Sequence, residues 1–402
     1  MPLTVPTLSS ATMGGWAEKS WPEVACAVCA ALLSEAMDPV ALKALTMEAL
    51  NFPVPLVQLR ERIYVLELFR GPTLAFKDVG ARFMARLLAH FRQESEPPLT
   101  VLTATSGDTG GAVAHAFFGL PGVRVVVLFP DGRVTPRQEL QFSTLGENVT
   151  AIAVQGDFDD CQRLAKEAFQ EQARLGRRTL TSANSINVGR FLPQSTYFFE
   201  AWARLQNRGI NRTDILFSVP SGNLGNLAAG LLAKAMGLTG VSFLAATNLN
   251  DGVPQYLRTG RFTPRPSVPT LSTAMDVGDP SNLDRILHLY RGRVEGLRED
   301  LVGRRVTDAE TRSCIHRFHE ETGYILDPHS AVGLAALEKE LERRPGVTGV
   351  LLATAHPAKF AEVVEPVIGQ PLPVPPELAR CLEGTRRVIP LEPRLDALRE
   401  VL

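Results

Sequence analysis

The sequence predicts an α/β protein: two lobes of mainly parallel sheet with helices on both faces, plus a small N-terminal helical segment. Three observations lead there. Short Val/Ile/Leu runs without strict alternation recur at Leu99–Ala104, Val123–Phe129, Val149–Val154, Asp214–Val219, Val241–Thr247 and Gly349–Thr354. Such continuity marks strands buried on both faces. Amphipathic stretches lie between or beyond them, at Val79–Phe91, Thr109–Phe118, Asp159–Ala173, Arg190–Gln206, Asn226–Met236, Asn282–Leu289, Asp308–Glu321 and Ala331–Glu342. Strand–helix alternation is the pattern of a parallel sheet with crossover helices. Finally, 402 residues exceed the roughly 250–300 that one hydrophobic core supports.

The first stretch differs from the body. Residues 1–70 read as helices, around Trp21–Ser34 and Val40–Leu50, ended by Asn51-Phe52-Pro53-Val54-Pro55. The body divides near residue 205, where Asn207–Thr213 forms a polar link, giving a smaller lobe over 71–205 and a larger one over 206–402. Pro264, Pro266 and Pro269 mark a long loop, and Pro371, Pro373, Pro375 and Pro376 punctuate a C-terminal arm.

With 42 basic against 43 acidic side chains, the net charge of −1 offers no field for a nucleic acid. No apolar window approaches the roughly 18 residues of a membrane span, and Met1–Pro6 does not read as a signal peptide. Five scattered cysteines suit a reduced cytoplasmic protein. Cys26-Ala27-Val28-Cys29 has redox spacing but sits in an apolar run, which favours a core helix. His316-Arg317-Phe318-His319 reads as a solvated helix face. No metal site is expected.

Ligands of open α/β sheets bind beyond the carboxyl ends of strands, at helix N-termini. Three loops qualify. Ser221-Gly222-Asn223-Leu224-Gly225-Asn226 has two glycines that permit positive φ and close backbone approach, so amides can converge on one anion; a plain tight turn fits it as well. Thr105-Ser106-Gly107-Asp108-Thr109-Gly110-Gly111 offers hydroxyls and amides at a helix start, for a ligand or for an N-cap. Gly71-Pro72-Thr73-Leu74-Ala75-Phe76-Lys77-Asp78 puts Lys77 where desolvation and the helix dipole favour the neutral, nucleophilic amine, although most lysines are solvated charges.

In this order, and with Thr354-Ala355-His356-Pro357-Ala358-Lys359-Phe360 near the end, the loops resemble the threonine synthases. That family belongs to the pyridoxal-phosphate enzymes of fold type II, related to the tryptophan synthase β chain. The resemblance is closest to the enterobacterial and yeast branch and runs from about Leu68 to Ile368. It rests on Gly71–Lys77, Thr103–His115, Ser182–Asn187, Val219–Gly225, Ala245–Asn248, Ala274–Val277 and Thr354–Phe360, specific only together. Relatives carry a further segment before the Leu-x-x-Pro found at Leu3–Pro6.

By resemblance, Lys77 is the Schiff-base lysine of pyridoxal 5'-phosphate, and Ser221, Gly222, Asn223, Leu224, Gly225 and Asn226 hold the cofactor phosphate. Thr354 partners the pyridine nitrogen, and a hydroxyl there leaves that nitrogen largely unprotonated. Asp108 lies near the 3-oxygen, where many relatives have Asn. Thr105, Ser106 and Thr109 line the substrate carboxylate site. Asn184, Ser185, Asn187 and Arg190 grip the substrate phosphate; without the resemblance, that stretch reads as a polar helix start.

The implied reaction converts O-phospho-L-homoserine and water to L-threonine and phosphate, a carbon–oxygen lyase reaction of amino-acid biosynthesis. The alternatives are a phospho-lyase of the same family, giving 2-oxobutyrate, and a non-catalytic ligand-binding relative. The expected partner is a small molecule, with no nucleic acid and no membrane, and the chain is expected as a monomer or homodimer.

Overall fold

A computed structural model describes residues 5–93, 95–171, 179–210 and 214–402. Part of Leu3–Pro6, the end of the helix expected to reach Ala173, and part of the expected link at 207–213 lie outside them. In chain order the strands are β1 (Leu56–Arg60), β2 (Ile63–Glu67), β3 (Leu99–Ala104), β4 (Val123–Pro130), β5 (Val149–Val154), β6 (Thr179–Ser182), β7 (Ile215–Pro220), β8 (Val241–Thr247), β9 (Leu301–Arg305), β10 (Thr348–Ala353) and β11 (Ile389–Leu391). They form two sheets in two compact units. Among the described residues, no helix is long and apolar enough to cross a membrane.

The larger unit comprises the described parts of 1–70, 191–357 and 361–372. Its sheet has the order β1-β2-β10-β7-β8-β9. All neighbours run parallel except the β1/β2 hairpin. Phe198, on the helix Thr196–Asn207, meets Phe217 of β7 and Phe243 of β8 edge-on, at centroid distances of 5.2 and 5.7 Å.

The smaller unit comprises the described parts of 71–190, 358–360 and 373–402. Its sheet, β11-β5-β4-β3-β6, is parallel throughout. Alternation along β4 separates two cores. Val125, Val127 and Phe129 join residues of the helices Lys77–Phe91 and Asp108–Phe117. Val126 and Leu128 face Cys161 and Leu164 of the helix Phe158–Gln170. Side chains of a strand point to alternate faces, so both cores are read from one segment.

Three expected boundaries change. Residues 1–70 are not only helical: after the helices Trp21–Leu33 and Pro39–Ala49, the β1/β2 hairpin adds an edge to the larger sheet. The units part at 190/191 rather than near 205, because the buried Phe198, Phe199 and Trp202 belong to the core of the larger sheet and its N-terminal helices. The end of the chain belongs to the smaller unit: β11 pairs with β5, and Leu398 and Leu402 enter its second core.

Candidate active site

In the smaller unit the chain turns at Gly71–Phe76, with Leu74 at φ 58°, and the helix Lys77–Phe91 begins at Lys77 itself. A buried Asp78 fastens the turn, accepting bonds from the Thr73 hydroxyl (2.6 Å) and the Thr73 amide (2.9 Å). Gly71 is required there, since a Cβ would stand 2.4 Å from Asp78 Oδ2. The Lys77 amine lies 4.8 Å from the centre of the Phe76 ring and 3.6 Å from Asp108 Oδ2. Burial pushes the Lys77 pKa down; Asp108 opposes this, while Lys359 and Arg190 push it further.

Asp108 opens the helix that follows β3. Burial alone would raise its pKa, but Lys359, Lys77 and Gln138 together hold its carboxyl well below the usual range. Lys359 Nζ lies 2.6 Å from Asp108 Oδ1, and Gln138 Nε2 donates to the same oxygen at 2.8 Å. Sequence reasoning missed both partners. The Thr105 hydroxyl accepts from the amides of Gly107 (2.9 Å) and Gly110 (2.8 Å) and donates to the Gly107 carbonyl. It therefore shapes the turn, whereas Ser106 and Thr109 stay partly exposed on it.

The loop after β6 is tied to the end of β3. Asn184 Nδ2 donates to the Ala104 carbonyl (2.8 Å), while its Oδ1 accepts from the Ala104 amide. Asn187 Nδ2 donates to the Ser182 carbonyl, and its Oδ1 accepts from the Gly189 amide. These two amides build the loop, and Ser185 lies between them, partly exposed. Arg190 is buried and donates to the Ala183 carbonyl at 2.6 Å. Burial lowers its pKa to about 10 against the opposing charge of Asp78.

In the larger unit, Ser221–Asn226 follows β7 and leads into the helix Gly225–Ala235. The residue before the helix supplies no side-chain cap, and although the Leu227 amide donates to Asn226 Oδ1 (2.9 Å), those of Gly225 and Asn226 remain donors for an anion. Positive φ falls on Leu224 (62°) and on neither glycine. Gly222 serves the close approach instead: a Cβ would stand 2.7 Å from Met275 Cα and 2.8 Å from the Ala274 carbonyl oxygen. Asn223 Oδ1 accepts from the amide and hydroxyl of Ser281, and Asn226 Nδ2 closes back on the Pro220 carbonyl. The buried Thr354 follows β10, the parallel neighbour of β7, so it emerges on the same sheet edge as this loop.

Beside that loop is a polar cluster the sequence did not announce. His329 Nδ1 lies 2.7 Å from Asp327 Oδ1, and His329 Nε2 accepts from the Ala274 amide at 3.2 Å. The other tempting motifs are structural. Cys29 is buried in the helix Trp21–Leu33, Cys26 donates to the Lys43 carbonyl, and His316 is exposed on the helix Asp308–Thr322. Among the described residues, no group of three or more His, Cys, Asp or Glu is placed to hold a metal.

The donors fit a phosphorylated aldehyde: the smaller unit holds an amine whose pKa burial pushes down, and the larger unit a helix start with open amides at Gly225 and Asn226. Each is a feature that a pyridoxal-phosphate-dependent enzyme of fold type II requires. The family model described as pyridoxal-phosphate dependent enzyme matches residues 48–353, and that of the threonine synthase C-terminal region matches 330–402. The threonine synthase of Serratia marcescens is 46% identical over 378 residues, covering 94% of this chain and 86% of that one. That of Escherichia coli strain K12 is 47% identical, covering 88% and 80%. The crystal structure of the Escherichia coli threonine synthase superposes with a TM-score of 0.93 at 42% identity, covering all of this chain and 92% of that one. A PLP-bound threonine synthase from Brucella melitensis gives 0.91 at 33% identity, with the same coverage. The chain belongs to the threonine synthases.

Proposed function

We propose that the chain converts O-phospho-L-homoserine and water to L-threonine and phosphate, with Lys77 as the residue that carries pyridoxal 5'-phosphate and moves the protons. The observation that carries this is the Lys77 amine, desolvated at a helix start and 3.6 Å from Asp108. Bound pyridoxal phosphate supplies an electron sink for charge developing at the substrate α-carbon. In its neutral form, which burial favours, the Lys77 amine would take the Cα proton and return protons later. The Ser221–Asn226 loop and the helix start it leads into would hold the cofactor phosphate, Thr354 would meet the ring nitrogen, and Asp108 would stand at the 3-oxygen.

Ser106 and Thr109 receive the substrate carboxylate on a turn that Thr105 shapes. Asn184 and Asn187 brace the loop presenting Ser185 and Arg190, whose guanidinium meets the substrate phosphate as charge grows on leaving. Arg190 bears electrostatically on Lys77, as a group gripping the same small substrate should.

Purified protein given O-phospho-L-homoserine should release threonine and phosphate in equal amounts. Release of 2-oxobutyrate instead would favour the phospho-lyase reading. We place the enzyme in the cytoplasm, where its free cysteines stay reduced, as a monomer or homodimer free of nucleic acid.

A further inference from the structure

Two lysines share one carboxylate in the smaller unit. Lys359 is fully buried, with Nζ 2.6 Å from Asp108 Oδ1 and donating to the Thr73 carbonyl at 2.8 Å. Its backbone is pinned as well: Arg137 donates to the Ala358 carbonyl at 2.7 Å, and Thr135 donates to that of Lys359 at 3.1 Å. Lys77 reaches the other oxygen of Asp108 only at 3.6 Å. Asp108 offsets one cation, and the charged groups bearing on Lys77 are Asp108, Lys359 and Arg190. The remaining nearby carboxylate, Asp78, is tied to Thr73. Positive charge is therefore in excess, and the amine held at the longer distance is the one that gives up its proton.

We infer that Lys359 is a positioning residue that takes up the charge of Asp108 and thereby selects Lys77 as the neutral amine. This rests on the reading of Lys77 as the cofactor lysine. It also accounts for an aspartate beside that lysine: the carboxylate lies closer to Lys359 than to Lys77 and so holds the Lys77 proton less firmly. The pairing of the fully buried Lys359 agrees, since a desolvated cation persists only when paired and hydrogen-bonded.

The chain has seven lysines, few enough to follow singly by NMR in full-length, cofactor-free protein carrying carbon-13 at lysine Cε. Lys77→Ala and Lys359→Met identify the two signals by loss. In the wild type the Lys77 signal should titrate below an ordinary lysine and before that of Lys359. In Lys359→Met the Lys77 midpoint should rise by about a unit or more, a roughly tenfold fall in neutral amine near pH 8, and Lys359→Arg should restore it. An unmoved Lys77 midpoint in folded Lys359→Met overturns the inference. So does a wild type in which Lys359 deprotonates first, and that titration order decides the matter alone if the methionine variant does not fold. Borohydride reduction of loaded protein with peptide mapping tests Lys77 separately: cofactor mass on another lysine defeats that reading and leaves the titration order as its own result.

Discussion

Gly222 and Met275 approach so closely that a methyl group on the first would stand 2.7 Å from the Cα of the second. The approaching segment cannot simply retreat. The Ala274 amide is held by His329, which the buried Asp327 orients. Gly222→Ala must therefore displace the loop rather than its neighbour. Overpacking of this kind costs about 1–3 kcal/mol, or roughly 5- to 150-fold in affinity when it falls on a binding loop. Cofactor titration of the cofactor-free protein should show that loss, larger than any change in its unfolding free energy. Unchanged affinity would remove the loop from the phosphate-binding role.

Lys77→Ala should lower threonine production by at least about 10²–10⁴-fold, the usual contribution of a positioned base, and in addition removes the covalent link. Cofactor should still bind through the uncapped helix at Gly225, but should wash out after borohydride treatment. Phosphate release at the wild-type rate by the purified variant would exclude Lys77 from the chemistry.

His115 sets a pH dependence of stability. Burial lowers its pKa to about 4, the backbone at Gln141 opposing and the charges of Lys359 and Arg380 adding to it. The unfolded chain takes up the proton near pH 6.5, and the folded chain resists until about pH 4. The contribution is thus fully present above pH 6.5 and is lost as pH falls, by about 2 kcal/mol at pH 5. Urea unfolding at pH 7 and pH 5 should show that difference in the wild type and a smaller one in His115→Gln. Equal differences in the two proteins would assign the acid sensitivity elsewhere.

Parallel strands buried on both faces announce themselves, so β3, β4, β5, β7, β8 and β10 were legible to within a residue. The hairpin was not. Its turn, Glu61–Arg62, contains none of the glycine or asparagine that usually marks one. The edge strand β11 is three residues long and contains Pro390, which is tolerated only at an edge. Lys77, Asp108 and Gly225 of the Ser221–Asn226 loop stand at helix starts, where the general rule on ligand sites in open sheets directed attention to them. Lys359 obeys no local rule: it touches Thr73 across 286 residues of sequence, and only the fold makes it a partner. The positive φ at Leu224 was equally illegible, since two neighbouring glycines were the natural candidates.

On the proposed reading, Arg190 is the residue that would separate a phosphorylated substrate from any other amino acid. Its guanidinium is buried and donates to the Ala183 carbonyl. Gly80 of the helix Lys77–Phe91 packs against its backbone, where a Cβ would come within 2.5 Å of the Arg190 carbonyl oxygen. A side-chain substitution therefore leaves the backbone packing in place. Losing a charge-assisted, fork-shaped contact to phosphate should cost on the order of 1.5–3 kcal/mol, or about 10- to 150-fold in binding. The loss in kcat/KM should be larger still, because charge on the phosphate grows as it leaves. Selectivity is the decisive readout. Arg190→Leu should weaken O-phospho-L-homoserine by that factor yet hardly change L-serine or L-threonine, which carry no phosphate. Arg190→Lys should recover only part, since it supplies a point charge without the fork. Titration of the cofactor absorbance with both kinds of ligand measures this directly. If the two weaken alike, Arg190 only holds its loop in place, and the phosphate must be gripped by other residues.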